Sequence, residues 1–181
     1  MIEKIPAMRF FLKMKHWQLF LLFIILPGLG EYLLEQVLPL AAWVAPALNA
    51  VVALLAVSYL WTLGLHLYAK APRPLSSLSP AWFRAGLLYA FTDLVLLGLF
   101  ADQLIPEHPK SPYYIVPLHA VAMAGIFYAF YFVAKSLSSI EKGSEAGLND
   151  FAGPFFMLWF FPLGVWFFQP KVNRVEFRDV D

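Results

Sequence analysis

The sequence predicts an all-α protein that crosses a membrane several times as a helical bundle. Hydrophobic residues make up 61% of the 181 residues and the mean hydropathy is +0.68, whereas soluble domains are about half apolar. Four apolar blocks, at residues 17–37, 43–68, 85–104 and 113–134, can each cross a hydrocarbon core of about 30 Å. The polar stretches between them are too short for a separate core, so residues 1–181 are expected to form a single transmembrane domain.

The distribution of basic residues predicts that both termini lie in the cytoplasm. With the N-terminus inside, twelve of the 13 Lys and Arg residues fall on the cytoplasmic side, and only Lys110 falls outside. If residues 151–169 also crossed the membrane, the count would be nine inside and four outside. Lys and Arg next to spans favour the cytoplasmic side, so the first arrangement is the better one.

The fifth apolar block, residues 151–169, is therefore predicted to be an interfacial or re-entrant segment. Nine of its first eighteen residues are Phe or Trp, and it contains Pro154, Pro162 and Gly164. Prolines remove helical hydrogen bonds that lipid cannot replace, and dense aromatic residues suit the headgroup boundary. Asn149 or Asp150 is expected to cap its start. The alternative is a kinked fifth spanning helix.

Within the four spans, small residues and proline predict local structure. The Pro-Gly-Leu-Gly run at residues 27–30 predicts a kink or a local break in the first span. Small residues spaced four apart predict close helix packing, without saying whether the partner helix belongs to the same subunit. They are Gly86 and Ala90 in the third span, and Ala120 with Ala124 and Gly125 with Ala129 in the fourth.

Polar residues in the outer half of the bundle form the first candidate site. Glu31, Asn49 and His119 each lie six residues from the outer end of a span, which places them about 9 Å deep. Glu35 lies one turn beyond Glu31 on the same face. We expect these residues to form a buried polar layer in which Glu31 pairs with His119, because a lipid-exposed carboxylate is costly.

A second polar group is predicted near the midplane. Asp93 lies about nine residues into the third span, and Ser58, Thr62 and His66 form a stripe along one face of the second span. We expect Asp93 to face Ser58 and Thr62 and to be neutral, since desolvation disfavours the charged carboxylate.

These polar groups allow a functional and a structural interpretation. In the first, Asp93 and Glu31 titrate along a proton or ion pathway; in the second, the polar pairs only fix the helix register. A metal site from Glu31, Glu35 and His119 has suitable ligand types, but no ligand spacing supports it, so no metal or cofactor is predicted.

Motifs for common enzymes are missing from the sequence. It contains no GxSxG, Walker or GxGxxG motif, and the lack of cysteine excludes disulfides and thiolate nucleophiles. The net charge of +1 gives no indication of nucleic-acid binding, and basic residues beside the spans suit anionic lipid headgroups at the cytoplasmic face.

Three stretches support a resemblance: KHWQLFLLFIILP at residues 15–27, AKSL at residues 134–137 and FPLGVWFFQPKVN at residues 161–173. Together they resemble a group of small, uncharacterised multi-spanning membrane proteins of Bacteroidota-type bacteria. The resemblance implies a location in the bacterial inner membrane and no particular activity.

Three functions remain as hypotheses from the sequence. The first is a non-enzymatic helical-bundle protein that forms homo-oligomers, with a small channel or a membrane-permeabilising effector as one version. The second is an accessory or scaffold subunit that docks a membrane-protein partner through its C-terminal segment. The third is a membrane-embedded lipid-modifying enzyme, which needs polar groups converging in one cavity.

Overall fold

A computed structural model describes residues 6–36, 44–104 and 115–177, and the regular structure of these ranges is helical. The predicted all-α fold is confirmed, with four stretches long and apolar enough to cross a membrane: His16–Leu33, Pro46–Lys70, Pro80–Leu99 and Ile115–Lys142. The helices are α1 (Pro6–Lys13), α2 (His16–Phe20), α3 (Leu26–Gln36), α4 (Val44–Lys70), α5 (Pro80–Leu104), α6 (Ile115–Lys142), α7 (Leu148–Trp159) and α8 (Phe161–Phe177).

The first span is continuous through Pro27, and the irregularity lies before the proline. A π-helical turn, Leu21–Ile25, joins α2 to α3, and the backbone N–H of Leu26 bonds the carbonyl of Leu21. Proline cannot donate to the carbonyl four residues earlier, and a π turn is one way to change the hydrogen-bond register around it. The sequence predicted a kink or break at residues 27–30. The structure instead has a regular helix there and a π turn just before it.

Helices α5 and α6 touch through two glycines. A Cβ added to Gly125 would lie 2.8 Å from the carbonyl oxygen of Gly86, closer than side-chain atoms come to backbone. Ala90 and Ala129, one turn along each helix, are buried. The predicted small-residue packing is confirmed for these two helices, because only glycine allows such a close backbone approach.

Residues 148–177 form a helical hairpin. The chain breaks at Phe160, and α7 runs antiparallel to α6, with Phe151 against Tyr131 and Trp159 against Phe127 at ring distances of 5.2 and 4.5 Å. Helix α8 then returns along α2, with side-chain hydrogen bonds to α4. The segment enters and leaves at the same end of the bundle, which agrees with the re-entrant interpretation and not with a fifth span.

Two side chains complete the backbone hydrogen bonds at the start of the hairpin. Pro154 has no N–H to give to the carbonyl of Asp150, and Ser138 of α6 donates to that carbonyl at 3.1 Å. The carboxylate of Asp150 accepts from the backbone N–H of Gly147 at 2.8 Å, which satisfies the start of α7. Asp150 therefore caps the helix, as predicted, but from its third position, because α7 starts earlier than expected and Gly147 is the N-cap residue.

The interior is densest at the end of the bundle where α8 finishes. The large side chains that are fully buried include Phe83, Phe132 and Phe168, and the rings of Phe83 and Phe132 stack at 4.3 Å. Among the described side chains of the opposite half, none is buried in residues 44–58 of α4, 91–99 of α5 or 115–121 of α6. The protein packs tightly at one end and opens toward the other.

Gln169 of α8 is the polar centre of the dense end. Its side chain is fully buried, and its Nε2 lies 3.1 Å from the carbonyl oxygen of Phe11 and 3.0 Å from that of Met14. Its Oε1 accepts a hydrogen bond from the Tyr59 hydroxyl at 2.9 Å. One amide therefore joins the end of α1, the middle of α4 and α8.

We predict that Gln169→Leu lowers the melting temperature in mild detergent more than Tyr59→Phe does. The first change removes the donor to the Phe11 and Met14 carbonyls and the acceptor of the Tyr59 hydroxyl, at about 1–3 kcal/mol for each group left unpaired, whereas the second strands one amide oxygen. Adding Tyr59→Phe to Gln169→Leu should recover part of the loss, because the stranded hydroxyl disappears. Equal effects of the two single changes would contradict the central role of the amide.

Candidate functional site

A hydrogen-bonded carboxylate and imidazole lie between α5 and α6. Nδ1 of His119 is 2.8 Å from Oδ2 of Asp93, and the side chains of His119 and Asp93 are 42% and 9% exposed, respectively. One turn away, the Tyr89 hydroxyl donates to the carbonyl of Leu118 at 3.2 Å. Polar contacts thus continue along the helix pair beyond the glycine contact.

The expected partners of these two residues are corrected. His119 pairs with Asp93 and not with Glu31, because α3 packs on α4, with Gly30 against Leu48, and does not supply a neighbour to this part of α6. Asp93 faces α6 and not Ser58 and Thr62. The position of each residue within its span predicted its depth in the membrane. Which residues meet at one depth depends on which helices are neighbours in space.

The other members of the predicted outer layer do not converge. Glu31 and Asn49 have exposed side chains on α3 and α4, so the expectation that they are buried is wrong. The side chain of Glu35 lies outside the described part of the structure. Among the described side chains of the predicted layer, His119 alone is seen paired, and its partner comes from the other predicted group.

The predicted polar stripe of α4, formed by Ser58, Thr62 and His66, takes part in packing near the C-terminal end of that helix. Thr62 is buried and Ser58 is half-buried. Nε2 of His66 lies 2.6 Å from Glu176, whose carboxylate also accepts from Lys70 at 3.2 Å. The end of α8 is therefore fastened to the end of α4.

A cluster around Lys135 was not predicted from the sequence. Its side chain is 9% exposed, and its ammonium group donates to the Ser77 hydroxyl at 2.6 Å and to the Glu145 carboxylate at 2.9 Å. The Tyr131 hydroxyl donates to Ser77 at 2.9 Å, and the Ser76 hydroxyl contacts Glu145 at 3.2 Å. This "lysine cluster" joins the α4–α5 loop and the α6–α7 segment to α6.

A serine beside a lysine and a tyrosine raises the question of nucleophilic catalysis. The geometry does not favour it, because Lys135 donates to Ser77, and an ammonium group has no lone pair to accept the hydroxyl proton. The Ser77 hydroxyl in turn donates to Glu145 at 3.5 Å. The cluster is arranged as a hydrogen-bonded network that holds the α4–α5 loop and the α6–α7 segment against α6.

The charges at this end also affect two carboxyl groups. The ammonium of Lys135 holds the pKa of Glu145 below its usual range, with help from the Ser76 hydroxyl. Lys142, at 2.6 Å, and the Gly147 N–H likewise hold the pKa of Asp150 below its usual range. Both carboxylates therefore remain charged at neutral pH.

The Asp93–His119 pair could have been predicted from the residues that share one face of α5. Gly86, Ala90 and Asp93 lie on one face of α5, so the small-residue face that meets α6 carries the aspartate to His119. For the lysine cluster no such signal exists, because Ser77 and Glu145 come from loops whose paths are set by the tertiary fold.

Comparisons of the chain with protein-family models, curated proteins and solved structures found no match. Within residues 6–36, 44–104 and 115–177, the described side chains include no group of three or more His, Asp and Glu residues that could hold a metal ion.

We predict that His119→Leu lowers the stability in detergent by about 1–3 kcal/mol, because it leaves the Asp93 carboxyl without its partner. The double variant Asp93→Leu/His119→Leu should be more stable than His119→Leu alone, since both polar groups are gone. Thr92→Val is the control; this hydroxyl donates to the carbonyl of Leu88 in its own helix. An additive double variant in thermal unfolding would contradict the coupling.

The lysine cluster predicts a pH-dependent effect of Glu145→Gln. A lowered pKa in the folded state means that the pairing stabilises the protein above about pH 4.3, the ordinary Glu pKa, and is lost as the pH falls through the folded value. The melting temperature of the variant should therefore lie below that of the natural protein at pH 7, and the gap should close at acidic pH. Glu141→Gln, which removes an exposed partner of Lys171, is the control and should have little effect.

Proposed function

We propose that this protein is a non-enzymatic membrane subunit that associates with a second copy of itself through the outer half of α6. The Asp93–His119 pair supports the proposal most directly. The side chain of His119 is 42% exposed in a single subunit, within a helix whose neighbouring residues there are apolar.

Lipid tails cannot form hydrogen bonds, so polar groups inside a span normally face protein or water. A helix from a second copy would cover the imidazole. Interhelical polar contacts of this kind contribute about 0.6 kcal/mol on average, enough to select an interface without creating it alone.

The small residues of α6 support the same surface. Gly125 and Ala129 are used within the subunit, against α5 and the core. Ala120 and Ala124 are exposed, one turn apart, next to His119. Small side chains let helix backbones approach closely, which increases the dispersion contacts that drive association in lipid.

The basic residues support an orientation with the dense end in the cytoplasm of a bacterial cell. Lys70, Lys142 and Lys171 bond to carboxylates at that end. The cations Lys13 and Arg84 are exposed there and can meet anionic headgroups.

A channel is compatible with this proposal only if the pore forms between subunits, because the core of one subunit is made mainly of apolar side chains. The accessory-subunit alternative is supported by a different surface. Leu163 and Phe167 on the hairpin are 74% and 65% exposed and could meet another membrane protein.

Cysteine cross-linking in isolated membranes tests the interface, since the chain contains no natural cysteine. We expect Ala120→Cys and Ala124→Cys to give a disulfide-linked dimer on oxidation. Val51→Cys, on the exposed face of α4, is the control and should remain monomeric. Adding Asp93→Leu and His119→Leu should reduce the dimer about three-fold, the equivalent of about 0.6 kcal/mol.

Folded Ala120→Cys and Ala124→Cys proteins that cross-link no more than Val51→Cys would rule out this interface. A cross-link to another protein would favour the accessory-subunit function. If the dimer forms a channel, the cross-linked protein should conduct ions in planar bilayers. No conductance would rule the channel out.

A further inference from the structure

An apolar cavity of about 300 Å³ lies in the middle of the bundle, at the tip of the hairpin. Its floor includes Leu158, Phe161 and Pro162 from the hairpin, and Ala53 and Ala56 of α4 form part of its wall. The remaining walls come from the π turn, α5 and α6, with Phe23, Leu87 and Phe130 among them.

The cavity follows from the length of the hairpin. Helix α7 has 12 residues, so at 1.5 Å per residue it reaches only about 18 Å from its start before the chain turns at Phe160. The hairpin therefore fills one half of the space between the first span and α6. In the other half, the described residues at the beginning of α4 and α6 contain no buried side chain until Tyr59 and Ala122.

The cavity is lined almost entirely by apolar atoms. Tyr59 contributes to its wall, but the hydroxyl of this residue is directed to Gln169. Apolar cavities do not retain water, because a water molecule needs two to four polar partners. The cavity therefore suits an apolar occupant.

Its size distinguishes between the apolar groups that a membrane offers. An apolar cavity of about 150 Å³ can hold benzene, so a cavity of about 300 Å³ holds on the order of twelve carbon atoms. One turn of a partner helix exceeds this number, with about 14 backbone heavy atoms before its side chains, whereas a chain of about ten methylene groups fits. This is the length of much of an acyl chain.

We propose that the cavity binds one acyl chain of a membrane lipid, inserted from the outer half of the bilayer, with the chain end against the hairpin tip. The headgroup stays at the membrane surface. Recognition is by the apolar walls alone, so it selects against polar groups. The site does not depend on self-association of the protein.

Photo-crosslinking tests this site. The full-length protein is reconstituted into vesicles of phosphatidylcholine that carries a diazirine on one acyl chain, and labelled residues are mapped by mass spectrometry. We expect saturable labelling of cavity residues such as Ala56 and Phe130, above the labelling of Leu96, an exposed residue of α5 outside the proposed dimer interface.

Two substitutions to phenylalanine on the same helix, one inside the cavity and one outside it, test whether the cavity is the binding site. Ala56→Phe should reduce the cavity labelling at least about ten-fold, because excluding two methylene groups costs about that much affinity. Val51→Phe, on the exposed face of the same helix, should leave the labelling unchanged. Circular dichroism and the melting temperature check the fold, and Ala56→Leu replaces Ala56→Phe if the larger side chain prevents folding.

A second reconstitution uses a diazirine-bearing free fatty acid at the same concentration. Labelling of the cavity by phospholipid supports the proposal, whereas labelling by the free acid alone would assign the cavity to fatty acids and overturn it. Labelling that follows surface exposure, or that survives cavity filling in a folded variant, would also overturn it.

Discussion

The buried amide of Gln169 is the interaction on which the arrangement of this protein depends. It occupies an apolar core, where an unpaired polar group is costly and a paired one is strong. Its oxygen and nitrogen are used on groups from two other parts of the chain, Tyr59 and the backbone after Phe11. Removing it would loosen α8 and α1 together, because the other polar contact between them, from Asn173 to the Met14 carbonyl, is longer, at 3.3 Å, and only partly buried.

Because α8 is held beside α4, the hairpin turns inside the bundle, and its backbone groups need hydrogen-bond partners there. Backbone at this depth must be covered by protein, since lipid offers no hydrogen bonds. Ser138 supplies the donor that Pro154 lacks, and Lys142 binds the Asp150 carboxylate at the start of the hairpin. The same short hairpin leaves the apolar cavity above its tip, so the cavity is a consequence of the turn.

Polar groups serve different purposes at the two ends. At the dense end the lysine cluster and the Glu176 contacts are closed networks in which each charge has a partner, which suits a role in holding segments together. At the open end the Asp93–His119 pair remains partly exposed, and Glu31 and Asn49 are exposed. The proposed self-association and the proposed acyl chain both lie in this open half, where the chain leaves most surface uncovered.

Hydropathy, charge and proline placement were sufficient to predict the coarse architecture. Four helices long and apolar enough to span a membrane, the distinct character of residues 151–169 and the capping by Asp150 follow from local rules that need no neighbour. The sequence marked Gly86 and Gly125 as positions for close packing, but their contact with each other was seen only in the tertiary structure. The partners of the polar residues were predicted incorrectly for His119 and Asp93, and the lysine cluster was not predicted. Depth along a helix is a property of the sequence, because each residue adds a constant rise. Which two helices stand side by side, and how each is rotated, depends on packing between distant segments, and only the tertiary structure decided that.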